Sequence, residues 1–332
     1  MKTLRTSFIA LAVSIVALSL PVPAGAQNLK FDAFFVFSDS LGDTGNDLIL
    51  TRTAGLYPAI PPSESPHKTY FKGRFSNGPI LFEHFWALLS ASHDSVTPSL
   101  AVAEVPRKGA ISFAYGGSTS GADCSPFPGL GCQVTQFAAL LGGNPPPPRA
   151  LYAVFSGAND IFGATNPLDP VVVDTIVSNV TDAIEALYAL GARDIMVLNM
   201  PNLGVAPIVT DQGLKIALDG VAQAHNAKLK TALSVLSGTL PGLRIIPVDV
   251  YTFLQSLTVT SSFNFAVPAL PPPLSSCLFL PATPEAPPGS SCTDVSTFNV
   301  DRRYFFWDIE HPTMAAHAVI GAFLYRELKA AF

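Results

Sequence analysis

The stretch Phe34-Phe35-Val36-Phe37-Ser38-Asp39-Ser40-Leu41-Gly42-Asp43-Thr44-Gly45-Asn46 decides how this chain is read. Its first four residues form an unbroken apolar run, the pattern of a strand buried on both faces of a parallel sheet. The run gives way to small and polar residues, the composition of a turn. A serine just past the C-terminal end of such a strand stands where open α/β sheets place their ligands. There Ser40 Oγ can project into a cleft, and backbone N–H groups at a helix start can face an incoming anion. Far downstream, Trp307-Asp308-Ile309-Glu310-His311-Pro312-Thr313 offers a carboxylate three residues before an imidazole. Ser40, His311 and Asp308 thus supply a candidate nucleophile, a base and a group to orient the base.

Outward from that strand, four further short apolar or β-branched runs follow: Ala110–Tyr115, Leu151–Phe155, Asp194–Asn199 and Leu243–Val248. With Asp32–Phe37 they predict a parallel sheet of about five strands. Helical patterns lie between most of them, at Pro79–Ser90, Gln133–Leu141, Pro170–Leu190, Leu214–Leu236 and Pro312–Leu328. In the third, Val172, Ile176, Val180, Ile184, Leu187 and Leu190 recur at three- and four-residue spacing, and Gly191 marks its stop. The alternation predicts an α/β fold, a three-layer α/β/α sandwich of flavodoxin-like type. Pro145–Pro148 and the stretch from Pro268 to Gly289 are too proline-rich for helix or central strand and read as loops. No repeat or linker interrupts the pattern, so residues 27–332 read as one domain.

Residues 1–26 read as a signal peptide. Lys2 and Arg5 precede the apolar run Phe8 to Leu20, and Ala24-Gly25-Ala26 is a small-residue cleavage site. The expected mature protein is secreted or periplasmic. No later segment reaches the ~18 uninterrupted apolar residues of a membrane span. Removing Lys2 and Arg5 makes the net charge of −5 two units more negative. An acidic chain without Lys/Arg runs excludes nucleic acid as the expected partner. With 48% hydrophobic and 13% charged residues, the sequence supports a sizeable core rather than disorder. The four cysteines fall as two local pairs, Cys124/Cys132 and Cys277/Cys292. Export favours disulfides, and of the three pairings open in principle proximity favours the local one. Such a clamp contributes about 2–3 kcal/mol.

Several blocks beyond the first two carry a resemblance. They are Gly73-Arg74-Phe75-Ser76-Asn77-Gly78-Pro79, Phe113-Ala114-Tyr115-Gly116-Gly117-Ser118-Thr119-Ser120-Gly121, Gly157-Ala158-Asn159-Asp160, and Gly191-Ala192-Arg193 leading into Asn199-Met200-Pro201-Asn202-Leu203-Gly204. In this order, across roughly residues 32 to 325, the chain resembles the GDSL family of the SGNH hydrolases, most closely its secreted bacterial esterase, phospholipase and acyltransferase branch. Ser38 replaces the glycine that gives the motif its first letter; a slight change in the turn is expected, with activity kept. The resemblance implies a serine esterase or lipase needing no cofactor and no metal. Ser40, His311 and Asp308 would form the triad, with Glu310 as the rival carboxylate. The Ser40 and Gly117 N–H groups and the Asn159 amide would form the oxyanion hole, with Gly116 as the register alternative.

No G-x-S-x-G elbow, phosphate loop, Rossmann fingerprint or zinc signature occurs. The expected substrate is a small-molecule or lipid ester. A carbohydrate O-deacetylase or a lipid acyltransferase would use the same site, and a non-catalytic binding protein is the reading of another class. His67, His84, His93, His225 and His317 lack companion blocks and read as surface or structural.

Overall fold

In a computed structural model of the chain, residues 31–91, 95–268, 277–278, 289–295 and 303–332 are described. The signal peptide, His93 and most of the proline-rich stretch from Pro268 to Gly289 lie outside them.

The apolar run at the start becomes β1 (Ala33–Phe37), every residue of which is buried. It is followed by α1 (Asn46–Thr53), α2 (Leu81–Ser90), β2 (Val96–Pro98), β3 (Gly109–Ser112) and α3 (Leu130–Leu141). Next come β4 (Ala150–Val154), α4 (Ala158–Gly163), α5 (Pro170–Ala189), β5 (Asp194–Leu198) and α6 (Gln212–Thr239). The chain closes with β6 (Arg244–Val248), α7 (Val250–Thr260) and α8 (Met314–Ala330). The sheet has six strands in the order β2-β3-β1-β4-β5-β6, all pairs parallel. Five correspond to the predicted runs, in flavodoxin-like order. The sixth, β2, is a three-residue edge strand ending in Pro98, which an edge tolerates because the ladder needs no N–H there. Helices α1, α4 and α7 were not predicted either.

Strand residues alternate between two cores, as a sheet covered on both faces requires. Phe35, Phe37, Ile111, Tyr152, Val154 and Ile195 face α3, α5 and α6. Phe34, Val36, Leu151, Ala153, Met196 and Ile246 face α2, α7 and α8. Helix ends follow local chemistry. Asp169 caps α5 by accepting from Val171 N, with Pro170 at the first helical position. At its far end Gly191 N donates to Tyr188 O and Ala192 N to Leu187 O, the paired bonds of a Schellman stop. Among the described residues no helix is long and apolar enough to cross a membrane.

Because β3 and β4 flank β1, the chain leaves the C-terminal end of β1 at the point where successive connections turn to opposite sides. A crevice opens there in this class of sheet. The segments after β1, β3 and β4, carrying Ser40, Gly117 and Asn159, therefore meet above one end of the sheet.

Candidate active site

Ser40 is half-buried in the turn after β1. The turn is fixed by its own side chains: Asp39 Oδ1 accepts from Leu41 N at 2.9 Å. Asp43 then accepts from Gly45 N, Asn46 N and Asp47 N, which starts α1. Asn46 pins this helix to the neighbouring strand, its Nδ2 donating to Ser112 O and Ala114 O. Gln133, from α3, holds the backbone of Ser38 on both sides. It accepts from Ser38 N at 2.9 Å and donates to Ser38 O at 2.8 Å. Ser38 is fully buried, and its side chain fits because Gly42 lies opposite: a Cβ at Gly42 would stand 2.7 Å from Ser38 Cβ.

His311 comes from the loop that precedes α8, whose N-cap is Thr313, accepting from Ala316 N. That loop is an Asx turn built by Asp308, whose Oδ1 accepts from Glu310 N and His311 N at 2.8 and 2.7 Å. The other carboxylate oxygen, Oδ2, meets His311 Nδ1 at 2.7 Å and accepts from Tyr70 Oη at 2.8 Å. On the far side of the ring, His311 Nε2 lies 2.8 Å from Ser40 Oγ. The two segments, 271 residues apart, thus meet in a serine–imidazole–carboxylate relay. Asp308, rather than the rival Glu310, is the carboxylate on Nδ1. Asp308 is fully buried and His311 nearly so.

Burial alone would push the imidazole of His311 down. The Asp308 carboxylate, helped by Glu310 and Asp39, outweighs it and holds the pKa above the ordinary 6.5. Glu310 is raised by burial. Asp39 is pushed up to about 6, by burial against the opposing Leu41 N–H and His311 charge. His317, on α8, is fully buried and accepts from Leu81 N. Burial, then the charges of His84 and His311, drives it down to about 3, so it stays neutral as a structural acceptor.

Gly117 follows β3 in a turn with φ of 72°, a left-handed conformation suited to glycine, and is exposed. Gly116, the register alternative, is buried, and a Cβ there would meet Phe75 at 2.3 Å and Asp47 at 2.6 Å. Asn159 stands in the first turn of α4, on the other side of β1, and its Nδ2 donates to Ser118 O at 2.9 Å. That bond joins the β3 and β4 loops across the end of β1 and leaves the second amide hydrogen for another acceptor.

Ser40, Asn159, Glu310 and His311 line a cavity of about 110 Å³. Asp39 and Asn202 also line it, and the rest of its wall is apolar, with Phe155, Phe162, Leu203, Leu254, Phe305 and Phe306. Both expected disulfides are present, Cys124–Cys132 and Cys277–Cys292. Sequence reasoning assigned no role to Tyr70, Gln133 or Asn46. Their partners are distant in sequence, and only the nearness of Tyr70 to the Gly73–Pro79 block and of Asn46 to the Ser40 block signalled them.

A family model described as GDSL-like lipase/acylhydrolase matches residues 34–324. A GDSL esterase/lipase of Arabidopsis thaliana is 28% identical, the match covering 88% of this chain and 86% of the relative. A phosphatidylcholine-sterol acyltransferase of Aeromonas hydrophila is 29% identical over 67% of this chain and 60% of that enzyme. Among solved structures, an acetylxylan esterase variant from Geobacillus stearothermophilus aligns at 12% identity and a TM-score of 0.45, covering 90% of this chain and 94% of that one. The matched span takes in the loops after β1, β3 and β4 and the Asp308–His311 loop, so the chain belongs to the GDSL-like lipase/acylhydrolase family and is a carboxylic ester hydrolase.

Proposed function

We propose that this enzyme is secreted after loss of residues 1–26 and cleaves acyl esters through a Ser40–His311–Asp308 triad and an acyl-enzyme. The observation that carries the triad is the unbroken line from Ser40 Oγ through His311 to Asp308 Oδ2, at 2.8 and 2.7 Å. An ordinary serine hydroxyl is a weak nucleophile and needs such a base. His311 Nε2 takes the Ser40 proton as Oγ attacks the ester carbonyl. Asp308 holds the tautomer with Nδ1 protonated and stabilises the imidazolium that forms. The Ser40 and Gly117 amides and the Asn159 side chain stabilise the oxyanion. His311 then passes its proton to the leaving alcohol. Water, deprotonated in turn by His311, releases the acid. The mechanism requires neutral His311, so kcat/KM falls as the pH drops through its raised pKa.

The apolar wall beside Ser40 supports an acyl chain rather than a bare acetyl group as the acid part, because burying each methylene there contributes about 0.8 kcal/mol. Export is supported by the two disulfides. The named activity of the Aeromonas relative favours a second acceptor: an alcohol in place of water would convert the same acyl-enzyme into a new ester.

The test is direct. Ser40→Ala should abolish hydrolysis of p-nitrophenyl esters with the fold intact, and an organophosphonate should label the wild type once, at Ser40. A label on another serine overturns the assignment. In the same assay, kcat/KM should rise from acetate to longer acyl esters, and a flat or falling series would remove the acyl-pocket reading.

A further inference from the structure

Tyr70 is 2% exposed and lies 238 residues from the carboxylate it meets. Its ring sits in an apolar cluster with Trp307, Val295 and the Cys277–Cys292 disulfide. A buried phenol must spend its hydrogen on some acceptor. This one donates to Asp308 Oδ2, the oxygen that also faces His311 Nδ1. Among the described residues Asp308 receives four donors: Glu310 N and His311 N on Oδ1, and His311 Nδ1 and Tyr70 Oη on Oδ2. Three of them belong to the 308–311 turn itself. They fix the shape of the turn but not its place in the molecule. Ile208 N ties the turn down at Ile309 O, and Tyr70 is, among the described residues, the donor that reaches the Asp308 carboxylate itself from a distant segment.

That segment is itself anchored. Thr69 Oγ1 donates to Thr293 O, Val295 N donates to Lys68 O, and His67 Nδ1 lies 2.7 Å from Cys292 O. Phe75, five residues on, packs its ring against both Tyr70 and His311.

We propose that Tyr70 is a positioning residue of the active site, its phenol holding the Asp308 carboxylate in line with His311. This rests on the triad reading above. Burial, reinforced by the Asp308 charge, lifts the phenol well above its ordinary pKa, so it remains a donor throughout the working pH range. The charged groups acting on His311 are Asp308, Glu310 and Asp39. Of these, Asp308 is the one whose charge Tyr70 shares. Without the phenol hydrogen, Oδ2 faces His311 Nδ1 alone, so more of the carboxylate charge acts on the imidazole, and the carboxylate loses one of the bonds that hold its orientation. The first change stabilises the imidazolium and the second disorders the base.

Tyr70→Phe keeps the ring in its apolar seat and removes only the donor. It should lower kcat roughly tenfold, the order set by one hydrogen bond to a charged group. KM should hold, and the acid limb of kcat/KM should move to higher pH. Thr69→Val provides the comparison: it loosens the same segment through the bond to Thr293 without touching Asp308. It should lower the melting temperature and leave kcat and the acid limb unchanged. A Tyr70→Phe enzyme with wild-type kcat and an unmoved limb overturns the proposal. So does a Thr69→Val enzyme that reproduces the limb shift, since loosening alone would then explain it. Ser40→Ala separates the two readings. If it is inactive while Tyr70→Phe behaves as wild type, only the role of Tyr70 fails; if it is active, the triad fails and the role of Tyr70 with it.

Discussion

Ser40 stands at the end of β1 with a hydrogen-bonded strand on either side, whereas His311 stands on a loop that belongs to no strand of the sheet. The Ser40 side is framed by backbone: Phe113 N donates to Val36 O and Phe155 N to Phe37 O, carrying the ladder to the edge of the turn. The His311 side is framed by contacts from scattered segments. Ser76 Oγ donates to Pro312 O, Met314 N to Asn77 Oδ1, and Ile208 N to Ile309 O. A sheet edge tolerates loss of one side chain because its neighbours keep the backbone in place. A loop held by single contacts from separate segments does not share that redundancy. The two halves of the site should therefore fail differently when cut.

The largest expected effect tests that contrast at its centre. By analogy with other serine hydrolases, His311→Ala should lower kcat by about 10⁶ and Asp308→Ala by about 10⁴. Their stabilities should part company with that of Ser40→Ala. Ser40 is half-buried, and truncating it leaves the turn bonds of Asp39 and Asp43 intact, so its melting temperature should match the wild type. Asp308→Ala removes the acceptor of four hydrogen bonds, two of them from the backbone of its own turn. It should melt well below the wild type. Equal melting temperatures for these two variants would show that the loop needs no such support.

Asn159 lies between the two cases, because it stands just past a strand of the sheet, in the first turn of α4, while its proposed role runs through a side chain. If its free amide hydrogen meets the developing oxyanion, it binds the transition state more strongly than the ester. Asn159→Ala should then lower kcat by roughly 10²–10³-fold with KM little changed. Asn159→Asp should be at least as damaging, since a carboxylate repels the oxyanion. The bond to Ser118 O is also lost, so some stability goes with it. Normal turnover in a destabilised Asn159→Ala would leave this residue a loop brace and nothing more.

The same contrast explains what could be read from the sequence. The five long strands are apolar runs and α5 a periodic stripe, so burial alone wrote them into the pattern. Ser40, Asp308 and His311 stood out as candidates because each sits in a block of unusual composition. Helix α1 was not, for it buries Asn46, Asp47 and Thr51 and carries no apolar face. Its stability comes from side-chain bonds to Asp43, Ser112 and Ala114, which have no periodic signature. Six-residue α4 is too short for a stripe, and β2 too short for alternation. Tyr70 and Gln133 were silent for a related reason. Their roles depend on partners 238 and 95 residues away, and nothing local distinguishes them from any buried tyrosine or helix glutamine.

The smallest expected effect sharpens the sheet side of the comparison, at Ser38. This serine occupies the position where the motif has its glycine, yet it is fully buried without a positive φ. Its backbone is held on both sides by Gln133, so the turn cannot move away to accommodate bulk. The room for its side chain comes from Gly42 instead. A methyl there would stand 2.7 Å from Ser38 Cβ and 3.1 Å from both Ala114 Cβ and Val36 Cγ1. Gly42→Ala should therefore cost about 1–3 kcal/mol, the usual range for overpacking a rigid core. Ser38→Gly alone should be nearly neutral in packing, because it removes a hydroxyl that has no hydrogen-bond partner. Combined, Ser38→Gly should recover part of the loss caused by Gly42→Ala, since residues in contact are not additive. Denaturant melts of the two single variants and the double variant give the coupling. Strict additivity would mean that the Gly42 methyl is accommodated elsewhere and that Ser38 and Gly42 do not share one space.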